Sequence, residues 1–459
     1  MVYLREKLVR LVMLIVLLAI VANGYAQQVG VNFNGQFDQV DYDNLERSKT
    51  TWVRGFIDFF KYYEDPGLLE TDPRILNYLE LQDNGYKTIL NIKWNYRQKS
   101  FPEYGSAEMD KIRKFLLQIL DKVWGHTDIM VAGNEPFIES KPADRDNSLI
   151  PFYQDMARTF NTYRSTHDYK PIYVGAFNNL YLSQSFTFGV EEMLEFARES
   201  DWIAGIDLHI HHAAIEDLSQ AMENVMDKIR PNQKILVTEF SLMKHWRSKM
   251  DETIPADFAQ KYIYDAGWQN YQYIDHALKN PVPHDEWIDF LSQSYWFENR
   301  KNYLWNAYQR LSNFNQFNIA NYAIRQSYPL NQDFTVNTDP WVLNGLFVNR
   351  SVQPDPQTGL DQYNYAFIED FWKIQENTPE PTAIDWPPGE PSIAIYPNPV
   401  SSGFEIISEK ANLEYLVFDI GGRKVFENKG REGNISHLSA GIYILFMPEQ
   451  KVKLILVKK

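Results

Sequence analysis

The chain has 459 residues, a net charge of −15 and no cysteine. This length predicts two or three domains, or one large barrel with an appendage. The absence of cysteine from the sequence excludes disulfide scaffolds, cysteine-ligated zinc, iron–sulfur clusters and thiol nucleophiles. The acidic balance argues against nucleic acid as a partner, because nucleic-acid binding needs a basic surface. Aromatic residues make up 15% of the chain, an excess that suits stacking on a flat ligand.

The first 26 residues have the pattern of a secretory signal peptide. A basic stretch that ends at Arg10 precedes an apolar run over 11–21, and small residues at 24 and 26 mark a cleavage point before Gln27. The run is shorter than a comfortable membrane span, and an uncleaved N-terminal anchor is the alternative. No later segment of the sequence is apolar enough to cross a bilayer. We therefore expect an exported protein without a stable membrane span.

The C-terminal part of the sequence is separate from the rest. A Pro/Glu/Thr-rich stretch over 378–391 predicts a linker between a large domain, 27–377, and a small domain, 392–459. Short alternating strands predict that the small domain is an all-β sandwich. Three sequence blocks occur in it in order: Ile395-Tyr396-Pro397-Asn398-Pro399, Asp419-Ile420-Gly421-Gly422-Arg423 and Leu438-Ser439-Ala440-Gly441-Ile442-Tyr443.

These blocks resemble the C-terminal sorting domain of the type IX secretion system of Bacteroidetes. The resemblance implies that the type IX secretion machinery is a partner and that the protein is secreted or placed on the cell surface, at the outer membrane. A small carbohydrate-binding sandwich is the alternative for this domain.

The large domain alternates short β-branched or aromatic runs with amphipathic helical stretches. Eight runs have the pattern of strands: 29–33, 51–56, 87–94, 128–132, 170–176, 203–209, 234–240 and 317–322. Eight strands with helices between them predict the α/β class and a (β/α)8 TIM barrel. A doubly wound parallel sheet is the alternative, but no strand is followed by a Gly-rich phosphate turn. The long segment 243–315 is rich in tryptophan and tyrosine, and we expect it to form loops that build a ligand cleft.

Two glutamates stand at the ends of predicted strands. Glu135 follows the fourth strand in Asn134-Glu135-Pro136, and Glu239 ends the seventh in Thr238-Glu239-Phe240. Because the carboxyl ends of barrel strands converge on one face, the two carboxylates are expected to share a pocket. Carboxylates about 5–5.5 Å apart suit double displacement at a sugar, in which one attacks and the other transfers the proton. Burial and mutual repulsion are expected to keep the second carboxyl protonated near neutral pH.

Both blocks resemble the acid/base and nucleophile motifs of clan A glycoside hydrolases, which are retaining (β/α)8 enzymes. The resemblance implies that Glu135 is the acid/base, that Glu239 is the nucleophile and that Asn134 binds the sugar 2-hydroxyl. It also implies that Arg54, on the second strand, supports the nucleophile. A guanidinium beside a carboxylate keeps the carboxylate ionised, although an inert salt bridge is the alternative for Arg54.

The sixth predicted strand ends in a histidine-rich run that contains His209 and His211, which share one face of the strand. Clan A enzymes often carry a His or Tyr here that contacts the nucleophile or the sugar, so the resemblance implies this role for His209, and less firmly for His211. The pair also fits a metal-dependent TIM-barrel hydrolase, but such barrels place it on the first strand, which here ends in Asn32-Phe33-Asn34. We expect neither a metal nor a cofactor.

Further aromatic and amide side chains predict a substrate-binding rim, because aromatic faces stack on pyranose rings and amides bind hydroxyls. The candidates are Trp94, Asn95, Asn178, Trp246 and Tyr322. For any single tryptophan, packing in the core is the alternative.

Together these features predict a secreted retaining β-glycoside hydrolase that acts on a polysaccharide, with endo action. The block around Arg54 and the Asn-Glu-Pro-Phe run resemble β-agarases and porphyranases, and β-glucan and β-mannan are equally weighted substrates. A catalytically inactive, glycan-binding surface barrel is the remaining alternative.

Overall fold

The computed structural model describes residues 28–326, 333–376, 394–396, 403–407, 413–419, 423–447 and 452–458. The chain divides into two compact units, Met1–Thr378 and Pro379–Lys459. The predicted signal peptide and the predicted linker lie outside the described residues.

The first unit is built on a closed barrel of eight parallel strands that follow one another in chain order. Its strands are β1 (Gln28–Asn32), β2 (Trp52–Asp58), β3 (Lys87–Lys93), β4 (Ile129–Ala132), β5 (Ile172–Asn178), β6 (Ile203–His211), β7 (Lys234–Ser241) and β8 (Phe317–Ala323). Strand β1 pairs with both β2 and β8, which closes the sheet. The predicted TIM barrel is confirmed, and the observed strand ends differ from the predicted ones by at most two residues.

Fifteen α-helices are present in the described part of the first unit. They are α1 (Tyr42–Arg47), α2 (Phe59–Glu64), α3 (Leu68–Thr71), α4 (Pro73–Asp83), α5 (Ala107–Val123), α6 (Leu149–Arg164), α7 (Phe188–Glu199), α8 (Glu216–Met226), α9 (Met243–Arg247), α10 (Ala256–Tyr262), α11 (Asn270–Lys279), α12 (His284–Gln293), α13 (Tyr295–Glu298), α14 (Tyr303–Ser312) and α15 (Ile368–Gln375). Among these described residues no helix is both long and apolar enough to span a membrane.

Helix α5 illustrates how local sequence sets the helices around the barrel. Ser106 caps it, because the Ser106 side chain accepts a hydrogen bond from the backbone N–H of Met109 at 3.2 Å. Its apolar residues recur at helical spacing and are all buried: Ile112, Phe115, Leu116, Ile119 and Leu120. Burying each such side chain contributes roughly 1.5–3 kcal/mol, which holds the helix on the sheet.

The amino-terminal half of the barrel interior is apolar, and the carboxyl-terminal half is polar. Side chains near the strand starts form one buried cluster: Trp52, Ile89, Ile129, Val131, Tyr173, Leu236 and Ile319. Buried polar residues lie further along the barrel strands: Arg54, Asn91, Asp207, His209, Thr238 and Asn321. This division leaves the carboxyl-terminal face as the place for chemistry.

The expectation that 243–315 forms aromatic loops is wrong. The segment holds the six helices α9–α14, and several of its large aromatics are packed inside the unit: Trp246, Tyr273, Trp287 and Trp296. The rings pack on one another, as between Tyr273 and Phe290, whose centroids lie 4.3 Å apart. Helix-spaced aromatics bury more area than exposed loops can, so the aromatic excess mainly builds core.

The second unit consists of two antiparallel sheets. One contains β11 (Ala394–Tyr396), β12 (Gly403–Ile407) and β15 (Glu432–Asn434), and the other contains β13 (Glu414–Asp419), β14 (Lys424–Lys429), β16 (Gly441–Met447) and β17 (Val452–Lys458). Side chains from both sheets share one apolar cluster that includes Phe404, Tyr415 and Leu445. The predicted small all-β domain is confirmed. A two-stranded ribbon, β9 (Phe347–Val348) with β10 (Gln362–Tyr363), belongs to the first unit.

Candidate active site

The turn after β4 aims Glu135 into the carboxyl-terminal mouth of the barrel. Gly133 has φ +125°, and a Cβ on it would lie 1.9 Å from the carbonyl oxygen of Gly175 on β5. Glu135 itself lies in the left-handed region, with φ +50°, a conformation that costs a non-glycine residue free energy. The backbone N–H groups of Ile138 and Glu139 donate to the carbonyl oxygen of Glu135 at 2.9 and 2.8 Å and hold the turn.

The two glutamates predicted from the strand ends lie together. One carboxylate oxygen of Glu135 and one of Glu239 lie within 4.8 Å of each other, and within the same distance of ring nitrogens of His209 and His211. Sheet register explains the grouping, because His209 is paired with Glu239 across β6 and β7 and with Asn178 across β5 and β6. The side chains of Glu135 and Glu239 are 19% and 16% exposed, so both can be reached from solvent.

Arg54 is completely buried, and its guanidinium donates hydrogen bonds to four of the surrounding side chains. Its Nη1 donates to Glu239 Oε1 at 2.6 Å and to Asn32 Oδ1 at 3.1 Å. Its Nη2 donates to Asn134 Oδ1 at 2.5 Å, and its Nε donates to Asn91 Oδ1 at 2.9 Å. Arg54 therefore fixes one oxygen of Glu239 and the orientation of the Asn134 amide at the same time.

His209 lies between the two carboxylates. Its Nδ1 is 3.1 Å from Glu135 Oε1 and 3.6 Å from Glu239 Oε2. Its Nε2 is 3.1 Å from the Thr238 hydroxyl. Asn178 completes the surroundings of Glu135, because its Nδ2 donates to the same Oε1 at 2.6 Å.

His211 lies on the Glu239 side of the site. Its Nδ1 is 2.9 Å from the Ser241 hydroxyl, and its Nε2 is 3.7 Å from Glu239 Oε2. The indole of Trp341 packs edge-on against the His211 ring, with centroids 4.8 Å apart. Trp341 is partly exposed and was missed by sequence reasoning, because it lies in a short 3₁₀ helix after the last barrel strand and no pattern marks it.

The charges of this cluster shift the pKa values of its members. Burial alone would raise the pKa of Glu239, but the positive charges of His209 and Arg54 outweigh burial and hold it well below its ordinary value. Burial and repulsion from Glu239 also act to raise the pKa of Glu135, yet the hydrogen bond and the charge of His209 lower it. Burial would lower the pKa of His209, and the two carboxylates raise it.

These shifts correct the expectation that Glu135 stays protonated near neutral pH. That expectation weighed only burial and repulsion between the glutamates, and it left out the histidine between them. The lowered pKa values of the two carboxyls favour their ionised forms, and the raised pKa of His209 favours its protonated form.

Three residues of the predicted rim are in the interior and present no face to a ligand. Trp94, Trp246 and Tyr322 are each 0% exposed. The Trp94 ring packs edge-on against aromatic residues of α6. The Trp246 indole N–H and the Tyr322 hydroxyl both donate to Asn344 Oδ1 at 3.3 Å. The prediction that these three bind substrate is wrong, because core packing takes up their whole surface.

Asn95 is the last predicted rim residue, and the contacts described for it are local. Its Oδ1 accepts a hydrogen bond from the backbone N–H of Arg97 at 3.2 Å and closes a turn. Two partly exposed aromatic side chains lie next to residues that contact Glu239. Trp341 packs on His211, and Phe56 lies 5.8 Å from the Arg54 guanidinium carbon.

The four clustered acids and histidines are also of the types that ligate transition metals. However, the Arg54 guanidinium is bound to Glu239 and lies 3.4 Å from His209 Nε2. A divalent cation would meet a fixed positive charge within the same cluster. The donor set therefore fits a metal poorly.

Comparisons with known proteins place the C-terminal part of the chain in a family. Residues 394–458 match the family of secretion system C-terminal sorting domains. This confirms the predicted sorting domain, and with it delivery to the cell surface or the extracellular space. No curated protein sequence matches the chain.

Several solved structures are similar in fold to most of the chain. They include xylanase 10B from Thermotoga maritima (10% identity, TM-score 0.44, 76% of this chain and 94% of that chain) and a glucosidase from Croceicoccus marinus (12% identity, TM-score 0.46, 90% and 93%). A thermostable mutant of a xylanase (Xyn10A) from Cellvibrio japonicus is a third (12% identity, TM-score 0.46, 76% and 98%).

Proposed function

We propose that the barrel is a retaining β-glycoside hydrolase in which Glu239 is the nucleophile and Glu135 is the acid/base. The observation that carries this proposal is the pair of accessible carboxylates on β7 and after β4, with oxygens within 4.8 Å of each other. Retaining enzymes hold their two carboxyl groups about 5–5.5 Å apart, whereas inverting enzymes need about 6.5–9.5 Å to admit a water.

The surroundings of Glu239 suit a nucleophile. Its Oε1 accepts a hydrogen bond from Arg54, and its Oε2 faces the two histidine rings. This environment keeps the carboxylate ionised, as attack on an anomeric carbon requires. In the first step a bond forms between C1 and a Glu239 oxygen while the glycosidic C–O bond breaks, and the leaving oxygen takes a proton from Glu135.

Glu135 then completes the cycle as a base. It takes a proton from a water that attacks C1, and the bond between C1 and Glu239 breaks. Asn134, whose carbonyl oxygen is held by Arg54, has its amide N–H group to offer to a sugar hydroxyl beside the cleaved bond.

We propose a polysaccharide as the substrate, because a chain that carries a sorting domain works outside the cell, where soluble disaccharides are quickly diluted. A β-galactan such as agarose or porphyran, a β-glucan and a β-mannan are the classes to test, and endo action is proposed for each. The route outward is proposed to be the type IX secretion machinery, which recognises the sorting domain.

The proposal is tested by measuring reducing ends released from agarose, porphyran, laminarin, mixed-linkage glucan, mannan and xylan. Glu135→Gln and Glu239→Gln are each expected to lower kcat by at least about 10³-fold. Glu223→Gln, an isosteric change at an exposed position of α8, is the matched control and should behave as the wild type. Near-full activity of both active-site variants on the wild type's substrate would show that the assignment is wrong.

Azide rescue assigns the two roles. With Glu239→Gly, azide should take the place of the carboxylate and give an α-glycosyl azide from an activated β-glycoside. With Glu135→Ala, azide should intercept the glycosyl-enzyme and give the β-glycosyl azide. If Glu239→Gly gave the β-glycosyl azide and Glu135→Ala the α-glycosyl azide, Glu135 would be the nucleophile and Glu239 the acid/base. If EDTA abolishes activity and Zn²⁺ or Mn²⁺ restores it, the metal-dependent hydrolase predicted as an alternative is the better description.

A further inference from the structure

Asp207, on β6, is a fully buried carboxylate that the proposed chemistry does not use. It accepts hydrogen bonds from the backbone N–H of Thr238 at 3.1 Å, from the Thr238 hydroxyl at 2.7 Å and from Asn91 Nδ2 at 3.0 Å. In the described part of the chain no Lys, Arg or His forms an ion pair with it. Burying a carboxylate without a cation costs folding free energy. A role in the site would account for an acid at this position.

The Thr238 hydroxyl connects Asp207 to His209. A hydroxyl has one proton, and the 2.7 Å contact with an acceptor-only carboxylate directs that proton to Asp207 Oδ2. The hydroxyl oxygen can then only accept from His209 Nε2, which is 3.1 Å away. A hydrogen on Nε2 satisfies this contact. Arg54 Nη2, a donor 3.4 Å from the same nitrogen, is beyond the usual hydrogen-bond distance and competes weakly.

The other ring nitrogen, Nδ1, is left facing Glu135 Oε1 at 3.1 Å. With Nε2 already protonated, a single further proton lies on the line between Nδ1 and Oε1. With that proton on Nδ1, His209 is a cation and Glu135 an anion; with it on Oε1, both groups are neutral.

We propose that Asp207 is a positioning residue which, through Thr238, keeps the Nε2 hydrogen on His209 and thereby makes Nδ1 the site that exchanges a proton with Glu135 in each turnover. This inference rests on the proposed glycosidase function and adds two residues to it that touch neither substrate nor reacting atoms.

Over one turnover, the proton that His209 gives up is replaced by one from the attacking water. Before the first step the proton passes from His209 Nδ1 to Glu135 Oε1, and Glu135 gives it to the leaving oxygen as the glycosidic bond breaks. In the second step Glu135 takes one proton from the attacking water, and this proton returns to Nδ1. The titratable or charged groups that face His209 are Glu135 from the β4 turn, Glu239 on β7, Arg54 on β2 and His211 on β6.

Leaving groups of different basicity test the proposal. Thr238→Val keeps the shape of the side chain and removes the hydroxyl. Its kcat/KM for the polysaccharide that the wild type cleaves is expected to fall roughly 10–100-fold. Its kcat/KM for a 2,4-dinitrophenyl β-glycoside of the same sugar, whose leaving group needs no proton, should change less than about threefold. Thr238→Ser restores the hydroxyl and should restore activity on both substrates, and Asp207→Asn should behave like Thr238→Val.

A structural role alone would not produce this pattern, because a distorted site loses activity on both kinds of substrate together. Equal losses on the polysaccharide and the dinitrophenyl glycoside, or wild-type kinetics in Thr238→Val, would overturn the inference. The Glu135→Gln and Glu239→Gln assays stay informative in either case, so failure of the inference and failure of the proposed function are distinguishable.

Nitrogen-15 NMR of the histidine rings gives a second readout that needs no substrate. The His209 resonances are identified as those missing in His209→Gln. In the wild type the Nε2 hydrogen should persist from pH 5 to pH 8. In Thr238→Val and Asp207→Asn a fraction of the protein should move the hydrogen from Nε2 to Nδ1. A wild-type Nε2 without a hydrogen contradicts the proposal outright, even if the variants prove unstable.

Discussion

At the scale of single residues, the site depends on a glycine whose side-chain position is already filled. The Gly175 carbonyl oxygen occupies the space that a Cβ on Gly133 would need, and the positive φ of Gly133 adds backbone strain to any substitution. Since Glu135 is only two residues away, the close approach of these two strands determines where its carboxylate points. A small change in this turn would move a proton donor that must lie within hydrogen-bond reach of its target.

We expect Gly133→Ala to destabilise the protein by on the order of 3 kcal/mol or more and to lower activity sharply. Gly105→Ala is the matched control, because Gly105 also has positive φ but no atom lies within 4 Å of the position that its Cβ would take; it should cost only about 1 kcal/mol. Urea unfolding measures both. Equal losses would mean that backbone strain, and not the contact with Gly175, makes Gly133 necessary.

The sequence alone did not predict the charge state of the site. Strand-end positions led to the expectation that Glu135 and Glu239 share a pocket, since a barrel brings such positions to one face. The resemblance to clan A enzymes added Arg54, Asn134 and the two histidines. The pKa of Glu135 depends on which neighbour lies 3.1 Å away, and that distance arises from strand register. Periodicity says nothing about such contacts.

At the scale of elements, helices α14 and α15 meet at a partly buried acid, Asp370. Asp370 on α15 accepts a hydrogen bond from the backbone N–H of Trp305 on α14 at 3.0 Å. Burial raises the pKa of Asp370 to about 6, even though this hydrogen bond and Lys373 act to lower it. The carboxyl is therefore easier to ionise in the unfolded chain than in the folded one.

The sign of the resulting pH dependence follows from linkage. Between about pH 4 and pH 6 the folded protein binds more protons at Asp370 than the unfolded chain does, so this group makes stability fall as pH rises through that window. Asp370→Asn keeps an oxygen acceptor without the charge. Thermal unfolding at pH 8 should show the variant more stable than the wild type by on the order of 1 kcal/mol, after allowance for partial exposure, with no difference near pH 4.

Asp257→Asn, on the exposed surface of α10, controls for the loss of one negative charge from an acidic chain. It should leave both unfolding temperatures unchanged. A gain for Asp370→Asn that is the same at pH 4 and pH 8 would assign the effect to packing and not to the carboxyl's ionisation.

The elements also show why part of the sequence reasoning failed. The eight strands were predictable because buried parallel strands are short continuous apolar runs, and the spacing between them fits one helix each. The aromatic residues of 243–315 were assigned to loops because their spacing was not compared with the helical repeat. Without that comparison, a tryptophan on a buried helix face cannot be told from one on an exposed loop. The spacing of Tyr273, Trp287 and Phe290 on α11 and α12 carried the relevant signal.

At the scale of the whole molecule, the two units each have their own core. The apolar cluster of the barrel unit and that of the C-terminal sheets consist of separate sets of residues, and the chain divides between Thr378 and Pro379. Units with separate cores can unfold separately. The second unit contains the residues that match the sorting-domain family.

We expect a chain that ends at Thr378 to keep the main thermal transition within about 2 °C and kcat/KM within about twofold. The full-length protein should show a second, smaller transition in calorimetry that is absent from the shortened chain. Fractionation of the producing cells should find the shortened chain retained inside, and a fusion of 379–459 to an unrelated exported protein should reach the surface. Loss of barrel activity on shortening would show that the C-terminal unit contributes to the fold or the site.

In the barrel unit the described residues begin and end side by side. The Gln375 side chain at the end of α15 donates to the carbonyl oxygen of Val29 on β1 at 2.5 Å, and the Trp372 indole N–H donates to the carbonyl oxygen of Arg47 at 2.8 Å. A short bridge from 376 to 28 can therefore join them, and the chain can be reopened at the exposed turn around Gly359. Such a circular permutant would begin with β10 and α15 and would then run through β1–β8 in their present order. It would place the same carboxylates over the same mouth.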